Sequence, residues 1–407
     1  YVEHNMNAYQ TELYLNLMTL CDGSDAFYFA DQELDGFTYR IFNYRLASYS
    51  NFLEPAALEC RGIMFKIDEE GNALELSAHP MPKFFNLNEN PFTMELDLSD
   101  NNIRRIEMKA DGSLMSTFCY KTTGTNTHLG IKSKGSLHSD QVKMTHAFLE
   151  KNKALADEFI LLAKRGYTAN MELVSPNNRI VLNYDKTDLI ILNIRDNVTG
   201  KYMLRSELDD AQYPCIATKW VAEAWHTGLD GGAVLVSRAK DLTGIEGFIV
   251  YLNDGTIFKL KTEWYLVQHR AKDNVDSPRR LFEAAIEDAT DDLRTLFHDN
   301  QQVIDRIVKM ELFAASIYNT VVAKVEEFVE KNRKLIEVNN RKQFAINGHR
   351  ALADVEINGK GVNLFGLAMN EYGMIHQPEK ARPVDYKAFC LKNWREWGLK
   401  DVAEVEE

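Results

Sequence analysis

The chain has 407 residues, of which 45% are hydrophobic and 26% charged, a composition typical of a globular protein with two or three domains. The net charge of −13 argues against a protein that coats nucleic acid non-specifically, although it allows one positively charged cleft. No run approaches the roughly 18 apolar residues of a membrane span, so we expect no membrane contact. The five cysteines are scattered, which predicts free thiols of a cytoplasmic protein and no zinc site.

The first part of the chain predicts one helix followed by short strands. Leucines at helical spacing predict a helix over residues 8–21. From about residue 27 to 135, aromatic and β-branched runs between glycines predict strands. One helix is predicted over residues 139–165, with Ser139 as its N-cap.

The middle of the chain predicts further strands and one short helix near Trp220–Trp225. The strands are predicted at residues 168–174, 180–183, 188–195, 247–252 and 256–262.

After about residue 275 the pattern becomes helical. Helices are predicted at residues 279–298, 301–335 and 383–397. We therefore predict an α+β protein in which a domain of antiparallel sheets, residues 1–265, precedes an all-α domain, residues 266–407.

A lysine beside an Asp-Gly turn is the most informative feature of the sequence. Lys109 opens the run Lys109-Ala-Asp-Gly112 between two strand-like segments. Only a neutral amine attacks phosphorus, and because an unperturbed lysine has a pKa of about 10.4, a site built on this lysine needs other cations close by. Lys109 is thus a candidate nucleophile for nucleotidyl transfer, and the alternative is a surface lysine ahead of a turn.

Four single residues in other motifs fit a nucleotide site around this lysine. Arg61 precedes a glycine at a strand start, where a guanidinium can bind phosphate with two hydrogen bonds, and Lys83 stands among aromatic residues. Glu172 lies alone in an apolar strand, where a solvent-facing position is the alternative. Glu246 lies between two glycines, which we expect to let the backbone approach a ligand closely.

Two pairs of lysines with a spacing of two residues predict either anion contacts or exposed strands. Lys259 and Lys261 would share one face of a strand, where two ammonium groups repel each other unless they bind an anion. An exposed edge strand guarded by lysines is the alternative. Lys132 and Lys134 repeat the spacing, and both interpretations fit them equally well.

No Gly-x-x-x-x-Gly-Lys-Ser/Thr loop and no Gly-x-Gly-x-x-Gly before a helix occur, which excludes the P-loop class and argues against a Rossmann fold. Side-chain cations would therefore have to hold phosphate.

Taken in chain order, the patterns resemble the covalent nucleotidyltransferases, which include ATP-dependent ligases and mRNA capping enzymes. Lys109-Ala-Asp-Gly112 is similar to their nucleophile motif. Met171-Glu-Leu173, Ile245-Glu-Gly-Phe248 and Phe258-Lys-Leu-Lys261 are similar to the three motifs that follow it. Within the superfamily, the sequence resembles the phage-type tRNA-repair RNA ligases of T-even bacteriophages over roughly residues 10–300.

That narrower resemblance rests on several further segments. They are Tyr39-Arg-Ile-Phe42, Ala47-Ser-Tyr-Ser50, residues 58–65, residues 83–94, residues 132–136 and residues 178–182.

The resemblance implies an ATP-dependent RNA ligase that works in three steps. The nucleophilic lysine takes AMP from ATP, the AMP moves to an RNA 5′-phosphate, and an RNA 3′-hydroxyl then joins that end as AMP leaves. Nicked tRNA is the implied substrate, Mg²⁺ or Mn²⁺ the implied metal, and the host cytoplasm the implied place if the gene is a phage's. No obligate protein partner is implied, and the helical domain would select the RNA.

The resemblance also implies roles for individual residues. The catalytic residues would be Lys109, Glu246, Lys259 and Lys261. The residues that bind the nucleotide would be Tyr44, Arg61, Lys83, Lys109, Glu172, Glu246, Lys259 and Lys261. The metal would be held by Asp291 and, through water, by Glu172 and Glu246.

Two alternatives stay open at this point. A DNA ligase usually has an arginine where this chain has Leu114, and it continues into a β-rich OB domain where this chain becomes helical. A non-catalytic RNA-binding relative is the other alternative, and the intact set of motif lysines and glutamates argues against it.

Overall fold

A computed structural model of the chain describes residues 6–122, 124, 126–176, 184–224, 232–268 and 274–403. The chain divides into two compact units, Tyr1–His269 and Arg270–Glu407. The predicted strand at residues 180–183, the similarity at 178–182 and Trp225 lie outside the described residues.

The first unit opens with a helix packed on a four-stranded antiparallel sheet. These elements are α1 (Ala8–Gly23), β1 (Phe27–Leu34), β2 (Phe37–Tyr44), β3 (Met64–Ile67) and β4 (Ala73–Ala78), and the strands pair in the order β1-β2-β3-β4. Asn7 caps α1, because its side chain accepts a hydrogen bond from Gln10 N (2.8 Å) while the Gln10 side chain accepts one from Asn7 N (3.1 Å). The helix predicted over residues 8–21 is thereby confirmed.

Two more sheets form the centre of the first unit. Their strands are β5 (Phe85–Asn86), β6 (Ile103–Met108), β7 (Ser113–Lys121), β8 (Thr127–Ser133), β9 (Tyr167–Val174), β10 (Asp188–Asp196), β11 (Tyr202–Met203), β12 (Gly247–Leu252) and β13 (Ile257–Lys261). One sheet has the order β11-β10-β9-β7-β8 and the other the order β5-β13-β12-β6. All pairs are antiparallel except β13 with β5.

Short helices connect these strands. They are α2 (Asp140–Glu150), α3 (Lys153–Lys164), α4 (Pro214–Lys219), α5 (Gly232–Arg238) and α6 (Glu263–Gln268), with 3-10 turns at Asn51–Leu53, Ala57–Glu59, Arg205–Glu207 and Ala239–Asp241.

Two predictions for this region need correction. The single helix predicted over residues 139–165 is two helices, because the Asn152 side chain donates to Phe148 O (2.7 Å) and ends the first one, although Ser139 caps α2 as predicted. The short helix near residue 220 is displaced, because α4 ends at Lys219 and Trp220 forms a β-bridge with Ile191.

The alternation of side chains along the central strands separates the core from a polar face. In β9, Met171 and Leu173 are fully buried against helix α3, and Glu172 between them points to the opposite side. In β12, Phe248 and Val250 belong to the core in the same way. The opposite face of each sheet is therefore available for a site.

The second unit is largely helical. Its elements are α7 (Pro278–Ile286), α8 (Asp291–Leu296), α9 (Gln301–Lys331), α10 (Arg333–Glu337), α11 (Arg341–Leu352), β14 (Val355–Ile357), β15 (Lys360–Val362), α12 (Phe365–His376), α13 (Tyr386–Lys392), a 3-10 turn at Trp394–Glu396 and α14 (Leu399–Ala403). No helix in the described part of the chain is long and apolar enough to cross a membrane. The α+β class is confirmed, although a β-hairpin interrupts the unit predicted to be all-α.

Candidate active site

Lys109 follows the last residue of β6, where the backbone of β12 holds it. Its N–H donates to the carbonyl oxygen of Gly247 at 3.0 Å. Its Nζ lies 2.6 Å from Oε1 of Glu246, and the Lys109 side chain is 22% exposed whereas that of Glu246 is 3% exposed. Oε2 of Glu246 is buried without a hydrogen-bond partner among the described residues. A buried carboxylate thus holds an amine that solvent can still reach.

The turn after Lys109 requires its glycine. A Cβ on Gly112 would collide with the carbonyl oxygen of Leu173, so β7 can approach β9 this closely only without a side chain there. The N–H of Gly112 donates to Oε1 of Glu172 at 3.0 Å. The turn therefore connects Lys109 to Glu172, a predicted nucleotide-binding residue.

Glu172 occupies an environment that favours its neutral form. Burial raises the pKa of its carboxyl group to about 7, and the negative charge of Glu246 acts in the same direction. The positive charges of Lys109 and Arg61 and the Gly112 N–H oppose the shift. The solvent-facing alternative for Glu172 is wrong, because its side chain faces the Asp-Gly turn.

Two tyrosines hold the same turn and were missed by the sequence analysis. Tyr184 Oη accepts a hydrogen bond from the Asp111 N–H at 3.0 Å, and Tyr265 Oη donates to Asp111 Oδ1 at 3.5 Å. Asp111 is almost fully buried. The only signal was the position of Tyr265, four residues after Lys261.

Lys259 and Lys261 lie in an inner strand of a sheet. Strand β13 is flanked by β5 and β12, so the exposed edge-strand alternative for Lys259 and Lys261 is wrong. Nζ of Lys261 lies 3.8 Å from Oε1 of Glu246, and its side chain is 9% exposed. Nζ of Lys259 lies 5.9 Å from the ring centroid of Phe84. Lys261 thus belongs to the surroundings of Lys109, and Lys259 lies beside the aromatic segment that follows Lys83.

The glycine after Glu246 serves the sheet. The φ of Gly247 is +152°, and a Cβ there would collide with the carbonyl oxygen of Leu260 in β13. The expectation that this glycine also lets the backbone approach a ligand stays a prediction. Its role is to bring β12 and β13, and with them Glu246 and Lys261, together.

The predicted contacts Tyr44 and Lys83 form a cationic and aromatic cluster with Lys134. Nζ of Lys134 lies 4.4 Å from the ring centroid of Tyr44, and Nζ of Lys83 lies 5.2 Å from it. Nζ of Lys83 also lies 5.4 Å from the Phe85 ring. Two ammonium groups at one aromatic ring form a site that can attract an anion.

Lys132 is buried next to this cluster. Its side chain is 1% exposed, and Nζ donates to the carbonyl oxygen of Ser133 at 2.7 Å. Burial, together with the positive charges of Arg61 and Lys134, lowers the pKa of its amine to about 7. Nη1 of Arg61 is buried without a hydrogen-bond partner among the described residues. The exposed-strand alternative is wrong for Lys132, whereas Lys134 is exposed.

The predicted metal ligands belong to two different units of the chain. No group of three or more His, Cys, Asp or Glu side chains that could hold a metal occurs among the described residues. Glu172 and Glu246 lie near Lys109 in the first unit, and Asp291 is the first residue of α8 in the second unit. The metal role of Asp291 stays a prediction.

Comparison with protein-family models identifies both units. A model described as RNA ligase matches residues 59–265, and one described as T4 RNA ligase 1, C-terminal domain, matches residues 272–396.

Three individual proteins are similar to this chain, with sequence identities between 23% and 27%. A putative RNA ligase of Thermovibrio ammonificans is 23% identical over 72% of this chain and 75% of its own length. RNA ligase 1 of bacteriophage TS2126 is 26% identical over 71% of this chain and 70% of its own length. A putative bifunctional polynucleotide kinase/RNA ligase of Autographa californica nuclear polyhedrosis virus is 27% identical over 66% of this chain, which covers 40% of that protein.

Solved structures with some likeness include a mutant Naegleria gruberi RNA ligase and a putative ATP-dependent DNA ligase from Aquifex aeolicus. The first has 16% identity and a TM-score of 0.33, over 51% of this chain and 65% of its own. The second has 12% identity and a TM-score of 0.40, over 78% of this chain and 80% of its own. On the two family models, the chain belongs to the RNA ligase family, and the predicted enzyme class, an ATP-dependent RNA ligase of the phage type, is confirmed.

Proposed function

We propose that the chain joins an RNA 5′-phosphate to an RNA 3′-hydroxyl with Lys109 as its nucleophile. The 2.6 Å contact between Lys109 Nζ and Glu246 Oε1 carries this proposal. The amine must lose a proton before it attacks, and a carboxylate within hydrogen-bond distance is placed to accept it. Because Glu246 is buried, its charge is poorly screened and orients the amine strongly.

The proposed reaction consists of three displacements at phosphorus. Lys109 Nζ bonds to the α-phosphorus of ATP as the bond to the β-phosphate oxygen breaks and pyrophosphate leaves. An oxygen of the RNA 5′-phosphate then displaces the lysine from AMP. The RNA 3′-hydroxyl attacks that 5′-phosphorus, AMP leaves, and the hydroxyl proton passes to solvent or to a nearby carboxylate.

The cations around Lys109 fit the charge that these steps place on phosphate oxygens. Lys261 shares Glu246 with Lys109, and Nη1 of Arg61 is buried without a hydrogen-bond partner among the described residues. Lys83 and Lys259 lie beside aromatic rings that exclude water from one side of each ammonium group. We assign phosphate contacts to Arg61, Lys83, Lys259 and Lys261, because fixed positive charge stabilises the transition state of phosphoryl transfer.

The carboxylates near Lys109 fit a divalent cation that keeps most of its water. Mg²⁺ is commonly bound by one or two carboxylates together with substrate phosphates. Glu246 offers a buried Oε2 without a partner among the described residues, and Glu172 lies at the same turn. These two residues would hold Mg²⁺ or Mn²⁺ through water, and the metal would neutralise charge on the phosphates. Asp291 is a third candidate.

We further propose that the RNA is a nicked tRNA and that the helical unit selects it. The match of residues 272–396 to the C-terminal domain of T4 RNA ligase 1 supports a role of this unit specific to RNA ligases. The reaction would take place in the cytoplasm, in a host cell if the gene is a phage's, without an obligate protein partner.

Intact-mass spectrometry after incubation with ATP tests the proposal. The wild-type chain should gain one AMP, Lys109→Ala and Lys109→Arg should gain none, and Lys121→Ala should react normally, since Lys121 is an exposed lysine at the far end of β7. GTP and NAD serve as nucleotide controls. An AMP adduct of normal yield in Lys109→Ala would refute the assignment, and sealing of DNA but not RNA ends would restore the DNA ligase alternative.

A further inference from the structure

A cavity of the first unit lies near the candidate active site. It has a volume of about 540 Å³ and is lined by residues of both central sheets. Its apolar wall includes Met81, Phe84, Leu204 and Ile257. The residues assigned above to Lys109 chemistry do not line it.

Three aromatic residues, Phe84, Tyr202 and Tyr251, line this cavity. Aromatic side chains are the surfaces on which nucleic-acid bases stack.

The rim of the cavity has one arginine that is available to an anion. Arg105 is paired with Glu107 (2.9 Å) and Arg205 with Asp210 (2.6 Å). Arg104 is exposed and forms no ion pair among the described residues. In a chain with a net charge of −13, an unpaired arginine at the mouth of an aromatic cavity favours phosphate.

The position of Phe84 connects this cavity to the active site. Phe84 lines the cavity, and both Cζ of Arg61 and Nζ of Lys259 lie 5.9 Å from its ring centroid. Ile257 and Lys259 lie two residues apart on the same face of β13. A ligand in the cavity would therefore lie beside the predicted phosphate-binding cations.

We propose that this cavity binds one nucleotide of the RNA end that is being joined, with its base against the apolar wall and its phosphate at Arg104. The inference rests on the proposed function, because it takes RNA as the substrate. The aromatic lining suits the face of a base, and Arg104 suits its backbone phosphate. The nucleotide belongs either to the 5′-phosphate strand or to the 3′-hydroxyl strand.

Two substitutions in the full-length chain test this site. Leu204→Trp fills part of the cavity from its rim, and Arg104→Ala removes the phosphate contact. Lys240→Ala is the matched control, because Lys240 is exposed in the same unit and does not line the cavity. Each variant is first measured for its rate of AMP-adduct formation at several ATP concentrations, and all should match the wild type. A normal rate also establishes that each variant is folded.

The sealing reaction then supplies the main readout. With 5′-adenylylated RNA and an acceptor RNA varied separately, Leu204→Trp and Arg104→Ala should raise KM for one of the two strands about tenfold, the size of one lost base or phosphate contact. The strand whose KM rises is the source of the nucleotide. An abasic residue at the bound position should remove the effect of Leu204→Trp.

Other results would overturn the proposal. A raised KM for ATP in these variants would make the cavity part of the ATP site, and unchanged KM values for both strands would leave it without an RNA role. If the wild-type chain formed no AMP adduct, the proposed function would fail first. Binding of a fluorescent RNA, measured by anisotropy, would then test the RNA role of the cavity independently. Equal affinity in Leu204→Trp, Arg104→Ala and the wild type would refute that role.

Discussion

Glu246 pairs with two lysines from different strands. Its Oε1 lies 2.6 Å from Nζ of Lys109 and 3.8 Å from Nζ of Lys261. One buried carboxylate therefore connects the end of β6 with the end of β13, which are far apart in the sequence. This contact places the candidate nucleophile beside a second cation. Such a cation favours the neutral form of an attacking amine and stabilises negative charge on a phosphate.

Glu246→Gln should slow the formation of lysyl-AMP by roughly 100- to 10,000-fold, the range of general base catalysis. The amide keeps the size of the side chain, but it cannot accept a proton and carries no charge to orient Lys109. Single-turnover measurements at saturating ATP give the rate, with Glu150→Gln as a control on the exposed end of α2. A wild-type rate in Glu246→Gln would assign this carboxylate a structural role only.

Lys259→Ala and Lys261→Ala should each slow adenylylation by orders of magnitude, because both lysines are assigned to ATP phosphates. Joining of RNA that is already adenylylated should suffer less in at least one variant, since that reaction has no triphosphate to hold. Rates of both half-reactions, measured separately, check this. Unchanged adenylylation in both variants would remove the two lysines from the site.

Lys132→Met should change how stability depends on pH. The pKa of the buried amine is about 7 in the folded chain, against 10.5 for an ordinary lysine. Between these values the unfolded chain binds more protons, so this group makes the wild type more stable as pH rises, by at most about 1.4 kcal/mol per pH unit. That contribution is complete above pH 10.5 and is lost as pH falls through 7.

Urea unfolding at pH 7 and pH 9 measures the effect. Lys132→Met should be more stable than the wild type at pH 7, with a smaller difference at pH 9. Lys121→Met, which alters an exposed lysine at the far end of β7, should follow the wild type. Parallel stability curves for Lys132→Met and the wild type would show that the Lys132 amine remains charged in the fold.

A truncation near residue 275 should fold and form some lysyl-AMP, but it should lose preference for its natural RNA. Both central sheets lie in the unit Tyr1–His269, which is large enough for a core of its own. Circular dichroism reports the fold and mass spectrometry reports the adduct. If Asp291 helps to place a metal, adenylylation should fall both in the truncation and in Asp291→Asn. A truncation that joins tRNA as selectively as the full chain would contradict the assigned role of the helical unit.

The sequence by itself determined the features that depend on neighbouring residues. The run of β-branched and aromatic residues at 247–252 predicts β12 with its observed bounds, and capping chemistry identifies Ser139 as the start of α2. The order of short motifs predicted the family, because each motif is a local run of residue types. The break at Asn152 was missed because helical periodicity continues across it, whereas the Asn152 side chain bonds to Phe148 O at the end of the first helix.

Only the tertiary structure decided which of two equivalent patterns is buried. Lys132 and Lys134 have the same spacing as Lys259 and Lys261, yet Lys132 is buried, Lys134 is exposed, and β13 is an inner strand. Spacing within one strand cannot specify these outcomes, because they depend on the strands and loops that pack against it. The cavity beside Phe84 was likewise invisible in the sequence, since its lining comes from distant segments that meet only when the two sheets form.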